Sequence, residues 1–237
     1  MLTPPEIARS LLAAGESKAR LPLGKMLLLA ILAGAYIALA GVGATAAAVT
    51  VESGSLAKLL SACVFPAGLS MVILAGSELF TGNCLMVMAL LERRITPAQL
   101  LRSWLTVYLG NAVGGAAAAA LAVYSHTASL FGDGLAHSMV SIAESKAALG
   151  AGDAFLRGVL CNFLVCLAVW MAAASKRAEG KVIALFFPIL LFVLCGYEHC
   201  IANLYYLPAG AFAAAEYGME TTLTLAGCLK NLAAVTL

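Results

Sequence analysis

The same polar pattern interrupts two long apolar segments, reading Gly76-Ser77-Glu78-Leu79-Phe80-Thr81-Gly82-Asn83 in the first and Gly196-Tyr197-Glu198-His199-Cys200-Ile201-Ala202-Asn203 in the second. Both stretches fit G-x-E-x-x-x-x-N and start 120 residues apart. Non-helical backbone is tolerated at membrane depth only where protein encloses it or where it lines a cavity. Two broken helices at corresponding positions therefore predict an internal repeat around a central pathway.

The composition indicates that the solvent is lipid. Of the 237 residues, 62% are hydrophobic and 11% charged, compared with roughly 45–50% and about 25% in soluble domains. A single core cannot hide this much apolar surface, because a domain of this size still exposes about a quarter to a third of its area. The net charge of +2 is too small for a nucleic-acid partner. The chain is predicted to be an all-α, polytopic membrane protein.

Six apolar segments approach the length of a membrane span, which needs about 20 residues. They are 26–48, 59–91, 103–124, 154–174, 182–208 and 222–237. Three segments in each half require the halves, about 26–127 and 154–237, to have opposite orientations, which is an inverted repeat. The second and fifth segments carry the interruptions. The sixth would span only about 24 Å at 1.5 Å per residue, so we expect the natural sequence to continue through it.

Residues 1–25 precede this single channel domain of 26–237. Thr3-Pro4-Pro5-Glu6 is typical of a helix start, and apolar Ile7, Leu11 and Leu12 alternate with basic residues. The segment is predicted to be an amphipathic helix that lies either in the membrane interface or against a neighbouring subunit. Lysine and arginine are concentrated in this segment and in two connections of the same side, which predicts cytoplasmic termini in the cell membrane.

The cysteines favour no metal site. None of the seven forms a C-x-x-C pair, and the i, i+5 pairs Cys161/Cys166 and Cys195/Cys200 would lie about 140° apart around a helix. We interpret them as small buried hydrophobic residues. No metal and no cofactor is expected.

Three ionisable residues are predicted inside the membrane, where such groups are expensive and default to a functional hypothesis. Glu78 and Glu198 would accept hydrogen bonds from backbone N–H groups freed by the interruptions, or act in a proton relay. His199 is the best candidate for proton exchange, because imidazole titrates near physiological pH; the alternative is a helix-packing histidine. Thr81 occupies the corresponding patch in the first half and could face the imidazole.

Several further residues have both a functional and a structural interpretation. Phe80 could form an apolar gate. Lys146 is either an exposed loop lysine or a cation that draws anions into an outer vestibule. The pair Gly110 and Gly114 fits a tight bundle or an oligomer face. Phe65, Leu69, Val165 and Phe192 are candidate wall residues that sequence alone does not select.

The two patches, together with Cys161-Asn162-Phe163-Leu164-Val165-Cys166-Leu167-Ala168, resemble the formate/nitrite transporter family in order and spacing, over nearly the whole chain. The resemblance implies an aquaporin-like fold of six transmembrane helices, a homopentamer with one pore per protomer, and passage of small monovalent anions such as formate, nitrite or hydrosulfide. It implies no enzymatic activity.

The resemblance also implies residue roles. His199 matches the central pore histidine, Thr81 the threonine facing it, and Lys146 the vestibule lysine. Phe65, Leu69, Phe80, Val165 and Phe192 match the apolar constrictions. Asn162 matches the family's fourth-helix asparagine. Together with Glu78, Glu198, Asn83 and Asn203, it is predicted to support the broken helices. Cys200 and Ile201 depart from the usual Ser-Val or Ser-Ile, which puts any role of that serine hydroxyl in selectivity in doubt here.

The predicted function is a channel for weak-acid anions with proton exchange at His199. An isolated charge faces a large Born penalty in a dry constriction, and a neutral acid does not. The main alternative is an aquaporin-like pore for water, ammonia or undissociated acid. A third is a membrane subunit or sensor without transport.

Overall fold

The computed structural model of the chain describes residues 1–237 and consists of helices without strands. The all-α prediction is confirmed. The helices are α1 (Pro4–Ala19), α2 (Leu23–Ala46), α3 (Gly54–Val64), α4 (Pro66–Ala75), α5 (Phe80–Asn83), α6 (Val87–Leu91), α7 (Pro97–Tyr124), α8 (Gly134–Ala148), α9 (Ala151–Ala173), α10 (Ala178–Leu194), α11 (Cys200–Glu216) and α12 (Leu225–Thr236).

Four helical stretches are long and apolar enough to cross a membrane. They are Leu23–Ala46, Gly54–Ala75 (α3 with α4), Pro97–Tyr124 and Ala151–Ala173. The predicted segments 182–208 and 222–237 fall in shorter helices, and α10 and α12 have 17 and 12 residues. The predicted segment 59–91 is also divided, with its last part forming the short apolar stretch Phe80–Leu91.

Each polar stretch ends one helix and begins another. In the first, α4 ends at Ala75, Gly76 takes a left-handed conformation with φ of 76°, and the next helix begins at Phe80. In the second, α10 ends at Leu194, Gly196 has φ of 70°, and α11 begins at Cys200. Glycine adopts positive φ without the Cβ clash of other residues. A left-handed glycine therefore follows the end of the helix at the same motif position in both halves.

Glycines bring α2 and α7 into close contact. A Cβ on Gly110 would lie 2.5 Å from the Cβ of Ala30, and one on Gly114 would overlap the carbonyl oxygen of Ile31. Of the two interpretations of this glycine pair, the structure shows packing inside the protomer.

Replacing Gly114 with alanine should destabilise the protein by about 1–3 kcal/mol, because α2 and α7 must separate to admit the methyl group. Thermal unfolding in detergent would measure the loss. Gly24→Ala is the matched control, since nothing lies within 4 Å of the added Cβ at this position of α2. Equal melting temperatures for Gly114→Ala and Gly24→Ala would contradict this packing.

Helix α1 folds back onto its own chain. The backbone N–H and hydroxyl of Thr3 each donate to the Glu6 carboxylate at 2.7 Å, which lowers the pKa of Glu6. The buried face of α1 carries Leu12, Gly15 and Ala19, and it packs on Met86 and Ala89 of the same protomer. One face of α1 is therefore covered by its own protomer, a contact that was not predicted from the sequence.

Helix α8 was not expected from the sequence, which suggested an exposed loop as the plain interpretation of residues 141–146. The structure places these residues on a helix of 15 residues that buries Leu135, Met139 and Ala143. Helix α8 packs along α11, and a Cβ on Gly210 would lie 2.9 Å from the Met139 carbonyl oxygen. Lys146 lies in the last turn of α8, so its position is fixed by helix packing.

The interior contains eleven buried polar side chains. The buried polar side chains are Thr45, Ser77, Glu78, Thr81, Asn83, Ser103, Asn111, Glu198, His199, Asn203 and Asn231. Most of them come from the two interruptions. Buried polar groups are costly without partners, so their contacts define the candidate site.

Candidate pore and its two vestibules

Thr81 and His199 meet at the centre of the protein. Their side chains are 2% and 4% exposed, and the Thr81 Oγ1 lies 3.4 Å from the His199 Nε2. Thr81 is the second residue of the helix that follows the first interruption, and His199 is the N-cap of the helix that follows the second. The predicted pairing of the two patches is therefore present as a contact between their side chains.

The other ring nitrogen of His199 has a structural partner. Its Nδ1 accepts the Ala202 N–H at 3.0 Å and caps the N-terminus of α11. Because Nδ1 accepts this bond, the neutral imidazole carries its proton on Nε2. The ring therefore presents an N–H donor toward Thr81, while the Phe192 ring stacks against it with centroids 5.6 Å apart.

Glu78 belongs to a network on one side of this centre. Lys18 of α1 donates to the Glu78 Oε2 at 2.9 Å and to the Asn83 Oδ1 at 2.7 Å. Asn83 in turn donates to the Glu78 Oε2 at 2.8 Å. From the sequence, Lys18 was expected only on the polar face of an amphipathic helix, and its contact with a residue 60 positions away was missed.

Glu198 has the equivalent network on the other side. Lys146 of α8 donates to both Glu198 carboxylate oxygens, at 2.9 and 3.0 Å. Asn203 donates to the Glu198 Oε2 at 2.7 Å and to the Asn231 Oδ1 at 2.7 Å. Helices α1 and α8 therefore hold corresponding lysines against the two motif glutamates.

Asn111 performs the role that was predicted for the glutamates. Its Oδ1 accepts the Phe80 N–H at 3.0 Å, and its Nδ2 donates to the carbonyls of Ala30 and Glu78 at 2.7 and 2.9 Å. The Glu78 and Glu198 carboxylates bind lysine and asparagine side chains instead of freed backbone N–H groups. That expectation is wrong, because nearby ammonium groups give a buried carboxylate a stronger, charge-assisted bond.

A spacing that occurs in both halves of the sequence could have identified Asn111. Asn111 and Asn231 each follow the motif asparagine, Asn83 or Asn203, by 28 residues. Asn231 also donates to the Lys146 carbonyl at 2.9 Å. An asparagine at the same place in both halves was thus the signal that sequence reasoning overlooked.

The predicted wall residues form one apolar cluster around the centre. The Phe65 and Phe192 rings meet edge to face with centroids 5.7 Å apart, and Leu69 and Val165 are buried in the same cluster. Phe80 packs against this cluster and also against Trp104 and Tyr108. The structure brings these five candidates into one cluster, and the Phe192 ring of this cluster stacks on His199.

Three cavities meet these residues. The Lys146 vestibule, of about 320 Å³, contains Lys146 and Glu198 and is also lined by Phe65, Phe192 and His199. The Lys18 vestibule, of about 260 Å³, contains Lys18 and Glu78 and is lined by Leu69 and by the neighbours of Thr81.

The third cavity, of about 420 Å³, is lined by Thr81, Asn162 and His199 and opens to the outer surface, where its lining includes the exposed residues Phe163 and Leu237. Asn162 lies beside the Cys166 thiol at 3.9 Å and makes no hydrogen bond to either motif. The third cavity is also lined by Cys84, Cys161, Cys166 and Cys200, none of which forms a disulfide. No three His, Cys, Asp or Glu side chains come together in a way that would hold a metal ion.

A buried polar centre with a vestibule on either side, in an all-helical chain with apolar exterior helices, defines a multi-pass membrane protein that transports solutes. Comparison with known proteins identifies the family within this class. A sequence model of the family "Formate/nitrite transporter" matches residues 5–237. The chain belongs to the formate/nitrite transporter family.

The curated relatives support the same assignment. A probable formate transporter of Methanothermobacter thermautotrophicus is 38% identical over 229 residues, covering 89% of this chain and 83% of the relative. The formate channel FocA of Escherichia coli K12 is 34% identical over 224 residues, covering 92% and 78%. These relatives are channels or transporters, and the protein is accordingly not an enzyme.

Two solved structures have the same fold. An "FNT family ion channel" superposes with a TM-score of 0.87 at 32% identity, covering 98% of this chain and 92% of the other. A "Pentameric formate channel with formate bound" superposes with a TM-score of 0.80 at 30% identity, covering 91% and 90%.

Proposed function

We propose that the protein is a channel for small monovalent weak-acid anions, with formate the first substrate to test and nitrite and hydrosulfide the next. The observation that carries the proposal is the buried Thr81–His199 contact between two vestibules that each hold a Lys–Glu–Asn network. The names of the relatives support formate. The substrate passes with one proton, and the His199 Nε2–H and the Thr81 hydroxyl are the groups it meets.

The assembly we propose is a homopentamer in the cell membrane. One structural neighbour is a pentameric formate channel, and its fold is shared over 91% of this chain. Each protomer is one channel domain over 26–237, built from six transmembrane segments in an aquaporin-like inverted repeat with halves 26–127 and 154–237. The excess of Lys and Arg on one side supports cytoplasmic termini.

The energetic reason for moving a proton with the anion lies in the apolar constriction. Phe65, Phe192 and Leu69 are buried in a single cluster beside the central pair, where a bare anion would lose its hydration without an equal replacement. Protonation removes most of this cost. The neutral acid retains polar atoms that need partners, and the His199 Nε2–H and the Thr81 hydroxyl supply them.

Proton exchange at His199 is coupled to the start of α11. An imidazolium ring carries a proton on both nitrogens, but Nδ1 already accepts the Ala202 N–H. The ring therefore gains a second proton only when Ala202 releases Nδ1. In its neutral form His199 donates a hydrogen bond from Nε2, and full proton transfer requires the first turn of α11 to relax.

Flux into proteoliposomes over a pH series tests the proposal. Wild-type protein should carry formate, nitrite and hydrosulfide faster than protein-free vesicles, with a rate that rises as pH falls because the transported species includes a proton. Stopped-flow measurement of water and ammonia permeation on the same vesicles tests the neutral-solute alternative. Rapid water or ammonia permeation without uptake of any of the three anions or their acids would overturn the proposal.

A further inference from the structure

The Lys146 vestibule carries more positive than negative charge. Its lining includes three cationic side chains, Lys58, Lys146 and Arg157, and Glu198 is its one carboxylate. An excess of one sign in a recess with low-dielectric walls concentrates counter-ions there. Only a cation without a carboxylate partner is free to bind an anion.

Lys146 is already neutralised. Its ammonium group contacts both Glu198 oxygens, at 2.9 and 3.0 Å, and it lies over the Tyr206 ring at 5.3 Å from the centroid. The side chains of Lys146 and Glu198 are only 15% and 8% exposed. The pair therefore contributes little net charge to the vestibule.

Lys58 has no carboxylate partner. It lies on α3, and its Nζ is 4.0 Å from the point where a Cβ on Gly196 would sit. Gly196 is the left-handed turn of the second interruption, two residues before Glu198 and three before His199. The unpaired ammonium group of Lys58 therefore lies beside the backbone turn that immediately precedes Glu198 and His199.

Arg157 is the second free cation. It lies on α9, makes no ion pair, and is exposed, although Asp153 precedes it by one turn of the same helix. The Arg157 carbonyl accepts the Glu198 N–H at 3.4 Å, which fixes this part of α9 beside the same interruption. Two uncompensated charges therefore flank the entrance to Glu198 and His199.

The Lys18 vestibule differs in this respect. Its lining holds one cation, Lys18, and one carboxylate, Glu78, and the two form an ion pair at 2.9 Å. The backbone and the Lys–Glu–Asn networks are repeated in the two halves, but the free charge is confined to one side.

We propose that Lys58 and Arg157 form an anion-collecting site in the Lys146 vestibule, which favours anions over cations and neutral solutes by charge, and that Lys146 serves to hold Glu198. The site makes the channel asymmetric, with a lower KM for anions that enter from the Lys146 side than from the Lys18 side. This inference rests on the proposed function and names residues that set its apparent affinity.

Initial rates of formate uptake into vesicles with uniformly oriented protein test the site. Lys58→Gln and Arg157→Gln should each raise the KM for formate entering from the Lys146 side several-fold, and the double variant about tenfold or more, with little change in the maximal rate. Entry from the Lys18 side should keep its KM. Added salt should raise the wild-type KM on the Lys146 side and have a weaker effect on the double variant.

Two controls separate charge from packing and this site from the function as a whole. Lys58→Arg keeps the charge and should retain the wild-type KM, and Lys230→Gln removes an exposed lysine of α12 that lies outside both vestibules. An unchanged KM in the double variant, or an equal rise with Lys230→Gln, would overturn the site. Wild-type protein that carries no formate would count against the proposed function instead.

Discussion

Formate flux through the His199→Asn protein should be about a hundredfold slower than through the wild-type protein, and the remaining flux should depend less steeply on pH. The expected size follows from the contribution of positioned groups to proton transfer, typically 10² to 10⁴. Asparagine cannot exchange a proton in this pH range, but it can still accept the Ala202 N–H at the start of α11, because it is a preferred N-cap residue. Proteoliposome flux between pH 5 and 8 would measure both effects.

The choice of asparagine separates transport from folding. His199→Ala removes the N-cap as well and should also destabilise α11 by about 0.5–2 kcal/mol, which a lower melting temperature would reveal. His199→Asn should melt near the wild-type temperature. A His199→Asn protein with wild-type rate and wild-type pH dependence would exclude His199 from proton exchange.

The Lys146→Met protein should be destabilised by about 3–5 kcal/mol, since it leaves the buried Glu198 carboxylate without its ion pair. The loss should appear as a lower melting temperature and less assembled protein in detergent. The double variant Lys146→Met with Glu198→Gln should recover most of this stability, because no unpaired charge remains and Asn203 can still bind the glutamine side chain.

The corresponding pair in the other half is the matched comparison. Lys18→Met removes a lysine whose side chain is 31% exposed, against 15% for Lys146, so solvent should screen the remaining Glu78 charge and the destabilisation should be smaller. Equal stability of the Lys146→Met protein and the double variant would show that the Glu198 charge is not buried in the assembled protein. Thermal unfolding of all four proteins at one pH makes the comparison.

The sequence predicted the centre of the site better than its supports. Glu78, Glu198 and His199 could be found because ionisable residues are rare and expensive in apolar segments, and the common motif related Thr81 to His199. The same reasoning could not place Lys18, because a lysine on an amphipathic helix is ordinarily solvated. Only the folding of α1 onto the motif, over 60 residues of chain, gives Lys18 its partners.

Composition also concealed α8. Its serine, glutamate and lysine residues resemble a polar connection, while half of its six buried residues are alanine and so give a weak amphipathic signal. Packing against α11 stabilises the helical conformation of α8, and no local sequence pattern predicts this contact. Lys58 and Arg157 were visible as charges on one side of the membrane, but their lack of a carboxylate partner is a property of the folded structure alone.

Helices that begin in the middle of the protein also shape the electric potential along the pathway. The two helical stretches after the interruptions, Phe80–Leu91 and Cys200–Glu216, both direct their N-termini toward Thr81 and His199. Each N-terminus carries the equivalent of roughly half a positive charge. Sodium and potassium ions therefore meet a barrier where an anion would be stabilised, and a cell could keep this pathway open without discharging its gradients of these two ions.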